Sequence, residues 1–418
     1  MSDPRDPLPH RHQPGLARRD LLRLGVGGVG LSVLGARGGS AVFAPSAEAA
    51  TRRTSDRILV VVELSGANDG LNTVVPYADD AYYRARPKLG LRPERLIRLD
   101  DHVGLQSTMT GLARLYKDGE LAIVQGVGYD QPSFSHFTSM AYWHTAAPNS
   151  GETYGWLGRL ADALDPKADP YCLVNVQARQ SLAVRAREHV PLVFDDPEKF
   201  SRTGLHAERE VLQHLVGATS RGPVQRFMAD VARAARSAEL RVREACASYR
   251  TPVEYGLYRF GLERVAAMIA GGFPTRVFYV SYPNNAFDTH VYQADTHARL
   301  WKYTSDHIAA FLADMRRIGR GDDVALLMFS EFGRRVAENA NGGTDHGTAG
   351  PVFVVGGGVR GGVYGQPPDL LALEDGNLRH TLDFRHVYAT MVREWMGLGD
   401  TRTVLSDDFA GLGLYEAA

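Results

Sequence analysis

Cysteine is nearly missing from this chain, with two residues in 418, and that excludes a disulfide-stapled scaffold. Charge of one sign is missing as well: 47 lysines and arginines stand against 48 aspartates and glutamates, a net charge of -1. A dedicated nucleic-acid binder needs a basic excess or stripe, and none is present. No internal repeat or low-complexity tract occurs, and the 44 glycines and 21 prolines follow no period, so solenoid, collagenous and disordered classes are excluded. A long uninterrupted apolar run is lacking too. The N-terminal stretch LGVGGVGLSVLGARGGSAVFA is rich in glycine and broken by Arg37, a poor permanent span where about 20 apolar residues are needed. What remains is a 44% hydrophobic chain long enough to bury a large core, as two domains or as one large α/β domain with insertions.

The first 49 residues have the anatomy of an address. Arg5 and Arg11 lead to Ala17-Arg18-Arg19-Asp20-Leu21-Leu22-Arg23, then to the weak apolar stretch, then to small residues through Ala47-Glu48-Ala49. That order is a twin-arginine signal peptide with an A-x-A type cleavage site. Residues 1–49 are therefore expected to be removed and 50–418 to form the working protein, in the periplasm or outside the cell, with no stable membrane span. Cleavage takes away six basic and four acidic residues, leaving 41 against 44 and a net charge of -3. Twin-arginine export carries folded proteins, often ones loaded with a cofactor. Cys172 and Cys246 fit either two free thiols or one disulfide in that oxidising setting.

Short runs rich in Val, Ile, Leu and Phe recur along the rest of the chain: 58–64, 121–127, 172–176, 276–282, 324–329 and 351–356. Their apolar character is continuous, which predicts central strands covered on both faces. Helical patterns intervene, such as STMTGLARLYKDG and HARLWKYTSDHIAAFLADMRRIG, so the fold class is α/β, a mostly parallel sheet between helical layers. Residues from 200 to 271 read as a helical insert, with VQRFMADVARAARSAELRVREACASY as a surface helical pair.

Polar clusters stand just beyond four of these strands. They are Glu63 to Gly70, Tyr129 to His136, Asn284 to His290 and Ser330 to Arg335. A fifth, Asn341-Gly342-Gly343-Thr344-Asp345-His346-Gly347, precedes the last run. In an open α/β sheet ligands bind outside the carboxyl ends of the strands, so these segments are expected to converge. Asp69, Asp288, His290, Glu331, Asp345 and His346 supply carboxylate oxygen and imidazole nitrogen. That donor set suits a divalent cation, zinc in the first place, with manganese, magnesium, calcium or iron as alternatives. Pro132 ends a strand, which puts Ser133 or Ser135 at a helix N-terminus, either as an activated hydroxyl or simply as an N-cap. His136 fits a base, a ligand or a packing residue. Arg334, with Arg335, is expected to clamp a substrate oxyanion.

ELSGANDGLNTVVPY, FSHFTSMAYWH, FDTHVYQ, FSEFGRRVAENANGGTDHGTAGPVFVVGGGVRGGVYG and LDFRHVYATMVREWMG together resemble a widespread bacterial family of exported proteins of unknown function. That family is placed in the alkaline phosphatase and sulfatase superfamily. The resemblance runs from 57 to 414 and implies a three-layer, alkaline phosphatase-like domain. It also implies roles: Glu331 as an acidic ligand, His346 as the later histidine, Asp288 with His290 as the remaining pair, and Ser135 as nucleophile. Phe332 stands where the superfamily has a histidine. Asp69 lies farther beyond its strand than the usual first ligand, which leaves Glu63 as its rival. Two functions follow. One is an exported metal-dependent hydrolase of phosphate or sulfate esters, acting on a small-molecule or polymeric anionic ester. The other is a non-catalytic exported binding or assembly protein with a partial site.

Overall fold

The first strand, β1 (Ile58–Glu63), shows why the apolar runs do not alternate. Ile58, Val60 and Val62 pack into one core, and Leu59 and Val61 pack into a second core on the other face. A strand covered on both faces has no wet side on which to place polar residues. The computed structural model describes residues 57–198, 222–258 and 260–415. The expected signal segment and the start of the helical insert lie outside the described residues.

Three short strands follow β1 and make a small separate sheet: β2 (Val74–Val75), β3 (Leu96–Arg98) and β4 (Gly104–Gln106). The main sheet is completed by β5 (Leu121–Gly128), β6 (Leu173–Val176), β7 (Leu192–Val193), β8 (Val277–Ser281), β9 (Val324–Phe329), β10 (Gly350–Gly356), β11 (Gly362–Tyr364) and β12 (Leu382–Asp383). Its order is β11-β5-β10-β9-β1-β8-β6-β7, with β12 also on β5. All six runs expected as strands are strands. β10 lies antiparallel to both β5 and β9, whereas β1, β6, β7, β8 and β9 pair with one another in parallel. This one reversal matters for the site: the start of β10 lies at the edge where β1, β5, β8 and β9 end. The fifth polar cluster therefore joins the other four.

The helices are α1 (Asp80–Ala85), α2 (Thr110–Lys117), α3 (His136–Thr145), α4 (Trp156–Leu164), α5 (Pro223–Ser248), α6 (Leu262–Ala270), α7 (Gln293–Arg317), α8 (Phe384–Ala389) and α9 (Arg402–Leu405). Leu112, Val242, Val265, Trp301 and Phe311 bring α2, α5, α6 and α7 onto the Val60 face. Trp143, Trp156, Leu160, Tyr388 and Leu405 bring α3, α4, α8 and α9 onto the Leu59 face. The outcome is three layers, helices on each side of one sheet. The expected helical pair is instead the single 26-residue helix α5. No glycine or proline interrupts the segment after Pro223, so nothing breaks the helix, and Ala238 and Val242 bury themselves in the core.

The chain leaving α5 is fastened to α7 through Asp314. This buried carboxylate accepts from Tyr249 Oη at 2.6 Å, Thr251 Oγ1 at 2.7 Å, Tyr255 Oη at 2.9 Å and Arg317 Nε at 2.7 Å. Burial alone raises an aspartate pKa, but these donors, Tyr249 first, hold it below its ordinary value. Asp314→Ala should lower the unfolding free energy by about 2–4 kcal/mol at neutral pH, because the hydroxyls it leaves behind lose their acceptor. A group whose pKa falls on folding stabilises the fold above its unfolded pKa and stops doing so as pH drops through the folded value. The wild-type and variant urea midpoints should therefore converge in acid.

Candidate metal centre

Three imidazoles meet at the shared edge, and their outer nitrogens reveal how they are held. His136, the first residue of α3, places Nδ1 2.7 Å from Glu331 Oε1. A carboxylate oxygen only accepts, so a proton sits on Nδ1, and Nε2 is left to take a ligand or a second proton. His346 places Nδ1 2.8 Å from the Phe134 carbonyl oxygen, with the same consequence. His290 places Nδ1 3.2 Å from Asp345 Oδ1, again fixing the proton there.

All three Nε2 atoms approach Asp288. Its Oδ2 is 3.4 Å from His136 Nε2, and its Oδ1 is 3.1 Å from His290 Nε2 and 3.4 Å from His346 Nε2. The Nε2 atoms of His290 and His346 are 2.9 Å apart. At that distance one of the two carries a proton and donates to the other, or a cation lies between them. Arg334 adds positive charge beside them, donating from Nη1 to His290 Nε2 at 3.3 Å and from Nη2 to Asp288 Oδ1 at 2.6 Å. His136 Nε2 is buried with no hydrogen-bond partner, an orphan that asks for a ligand. His136, Asp288 and His346 each bring one donor atom within 4.8 Å of the others. The set of nitrogen and carboxylate oxygen fits a zinc-class divalent ion, and the Nδ1 partners are the kind that orient metal-bound histidines.

Charge around the cluster follows from these contacts. The Glu331 hydrogen bond raises the His136 pKa against the opposing effect of burial. Burial lowers that of His346. For Asp288 burial acts upward, and the Arg334 hydrogen bond and charge overcome it to leave the pKa low. The Asp345 carboxyl is held low chiefly by a hydrogen bond from Asn339.

Several expected roles come out differently in the geometry. Glu331 and Asp345 were expected to touch the cation, but their carboxylates stand behind histidines, on the Nδ1 side. Glu331 is fully buried and also accepts from the Gly66 and Ala67 amides, each at 3.0 Å. Asp69 is turned away: its carboxylate pairs with Arg86 Nη1 at 2.7 Å, accepts from Gln293 Nε2 and caps the turn at Asn72. Burial raises the Asp69 pKa, yet the Arg86 charge leaves it below the ordinary value. Gln293 in turn accepts from Thr289 Oγ1 at 3.1 Å and Thr344 Oγ1 at 2.7 Å, so Asp69 braces both ligand loops from behind. Glu63, its rival, is committed to His144 at 2.7 Å, Ser281 at 2.9 Å and Tyr279.

Arg334 is not free to clamp a substrate. It is 2% exposed, and besides Asp288 and His290 it donates to the carbonyls of Ala67, Thr344, Gly66 and Phe287. Arg335, next to it, is exposed. Ser135 is the N-cap residue of α3, as the sequence indicates, but its side chain makes no capping hydrogen bond and it is exposed. Phe332 packs its ring 5.1 Å from that of His136 and 4.9 Å from that of His346, walling the site where the family resemblance would have a histidine.

Some participants gave no clear signal in the sequence. Asn339 Nδ2 donates to the His290 carbonyl and to Asp345 Oδ1, each at 3.0 Å, from a loop with no strand beside it. Gly66 is more legible, since it lies within a polar cluster. With φ at +114° and a Cβ position 2.5 Å from the Asp288 amide nitrogen, only glycine fits there. The cluster positions thus predicted the convergence of these segments better than the contacts each residue makes.

Fold and site together define a three-layer α/β protein with a candidate metal-ligand cluster at one edge of its sheet. Residues 56–407 match the family described as "Protein of unknown function (DUF1501)", and the chain belongs to that family. A search of curated proteins gives no match. Among solved structures, the C-terminal periplasmic domain of EcEptC from Escherichia coli, in complex with Zn, is 12% identical, with 87% of this chain and 91% of that chain covered and a TM-score of 0.39. The phosphonate monoester hydrolase SpPMH from Silicibacter pomeroyi is 11% identical, with 87% and 77% covered and a TM-score of 0.36. A protein in the alkaline phosphatase superfamily from Vibrio parahaemolyticus is 11% identical, with 78% and 67% covered and a TM-score of 0.34.

Proposed function

We propose that this protein is an exported, metal-dependent hydrolase of phosphate or sulfate esters, working in the periplasm or beyond after twin-arginine export. The observation that carries the reading is the buried, unpaired Nε2 of His136, aimed at Asp288 alongside His346 Nε2. His136, Asp288 and His346 hold the cation in this reading, with His290 adjoining them. Glu331, Asp345 and the Phe134 carbonyl fix the ring tautomers, and Arg334 and Asp69 hold the loops. A zinc-class ion supplies Lewis acidity and neutralises charge that develops on the transferred group.

The chain's own residues do the rest. The amide groups at the start of α3, a helix of 10 residues, favour an anion beside Ser135. Ser135 Oγ attacks phosphorus or sulfur, the bond to the ester oxygen breaks, and the alcohol leaves with the serine proton. Water then cleaves the seryl ester and frees the anion. Phe332 keeps one side of the site dry.

The test is metal content together with turnover, on full-length protein purified without chelator or nickel. Zinc-class metal in at least stoichiometric amount, with hydrolysis of an aryl phosphate or an aryl sulfate, is the expected result. Metal without hydrolysis of either ester would favour the non-catalytic binding protein, and its absence after loading with zinc would sink both.

A further inference from the structure

A second constellation lies at the opposite edge of the sheet. Leu173, the first residue of β6, is level with Val277 of β8, which is level with Leu59 near the start of β1. Cys172 therefore sits where the parallel strands begin, whereas the cluster around Asp288 sits where they end. Around Cys172 gather Asp162 from α4, Asp165 from the end of that helix, and His189 from the segment before β7.

His189 and Cys172 are both buried, at 3% and 1% exposed. Asp162 Oδ1 accepts from the His189 amide at 3.0 Å and from His189 Nδ1 at 2.9 Å. One ring proton is therefore placed on Nδ1 toward Asp162, and Nε2 faces inward. Asp165 Oδ2 lies 3.3 Å from Nε2. Two acceptors at that distance need positive charge between them, either a second proton on the ring or a cation. Donor atoms of Asp165, Cys172 and His189 all lie within 4.8 Å of one another. The carboxylates are also held in place: Asp165 accepts from the Asp169 amide at 2.6 Å and the Lys167 amide at 3.1 Å, and Asp162 from the Arg187 amide at 2.9 Å. An imidazolium is the competing arrangement: it would hydrogen-bond both carboxylates and the Cys172 sulfur, and a metal would have to displace its Nε2 proton.

We propose that Cys172, His189 and Asp165 bind a second divalent transition-metal ion, with Asp162 orienting the imidazole. Sulfur, nitrogen and carboxylate oxygen from three segments are a zinc-class donor set, and three protein donors leave one position of a tetrahedral ion to water. The Cys172 S–H bond gives its proton to solvent and the thiolate takes up the metal. The ion fastens α4, β6 and the approach to β7 at an outer part of the sheet. It lies away from the esterase chemistry and does not depend on it.

Cobalt(II) binding to the full chain reports this site directly. A thiolate ligand to cobalt gives an intense near-ultraviolet charge-transfer band, and among the described residues the cluster around Asp288 contains no cysteine. Wild type and Cys246→Ser should show the band, and Cys172→Ser should lack it. His136→Ala should keep it even if the other centre is destroyed. Asp162→Asn should weaken cobalt affinity about 10–100-fold while the band persists at saturation, a readout that needs no change at the cysteine. No band in folded wild type at saturating cobalt overturns the proposal, leaving His189 as an imidazolium between Asp162 and Asp165. A band that survives Cys172→Ser overturns it equally.

Discussion

Asp288→Ala should strip the cation from the Asp288 cluster and abolish ester turnover with it, whereas Ser135→Ala should abolish turnover and leave that metal in place. The contrast follows from what each side chain touches. Among the described residues, Asp288 is the only carboxylate that faces the Nε2 atoms of His136, His290 and His346, at 3.1–3.4 Å. Its loss removes the anionic donor and leaves the buried Arg334 charge without its partner at 2.6 Å. Ser135, by contrast, is exposed and forms no cap, so its hydroxyl adds nothing to the hold on a cation. Losing a nucleophile that forms a covalent ester should cost about a thousand-fold or more in kcat. Metal analysis and steady-state kinetics on the two variants check this. Turnover that survives Ser135→Ala would transfer the nucleophile's part to water.

Arg334→Leu should destabilise the fold by about 3–5 kcal/mol and empty the Asp288 cluster, because it leaves buried carbonyls and a carboxylate without a donor. Arg334→Lys should fail nearly as badly. An ammonium has three donors at one point, while the guanidinium reaches Ala67, Gly66, Thr344, Phe287, Asp288 and His290 from one rigid plane. Arg335→Ala, on the exposed neighbour, should shift stability by no more than about 0.5 kcal/mol. Urea unfolding with metal analysis gives both numbers. If Arg334→Leu folded normally and only raised KM, the arginine would be a substrate clamp after all.

The paired arginines illustrate what sequence reading reaches. Arg334 and Arg335 are indistinguishable by type and lie one position apart, yet one is buried and the other faces solvent. Nothing local separates them, because the carbonyls that enclose Arg334 come from positions 66, 67, 287 and 344. Asp69 raises the same difficulty. A carboxylate in a glycine-rich turn beyond a strand looks like a ligand until Arg86 and Gln293 are seen to occupy it. The short strands β7, β11 and β12 and the small sheet escaped notice too, since two or three residues are too few to display a period.

By itself the sequence determined the layered sheet, because runs such as ILVVVE bury both faces and can be satisfied only between two helical layers. It also determined the edge at which the polar clusters converge, since they stand at the carboxyl ends of those runs. Only the tertiary structure decided which side chains converge there. The lone pair a histidine offers depends on what takes its other proton, and for His136 that is Glu331, 195 positions away. The reversed direction of β10, which carries His346 to the same edge, was likewise settled by pairing with β5 and β9, because strand direction leaves no mark on an apolar run.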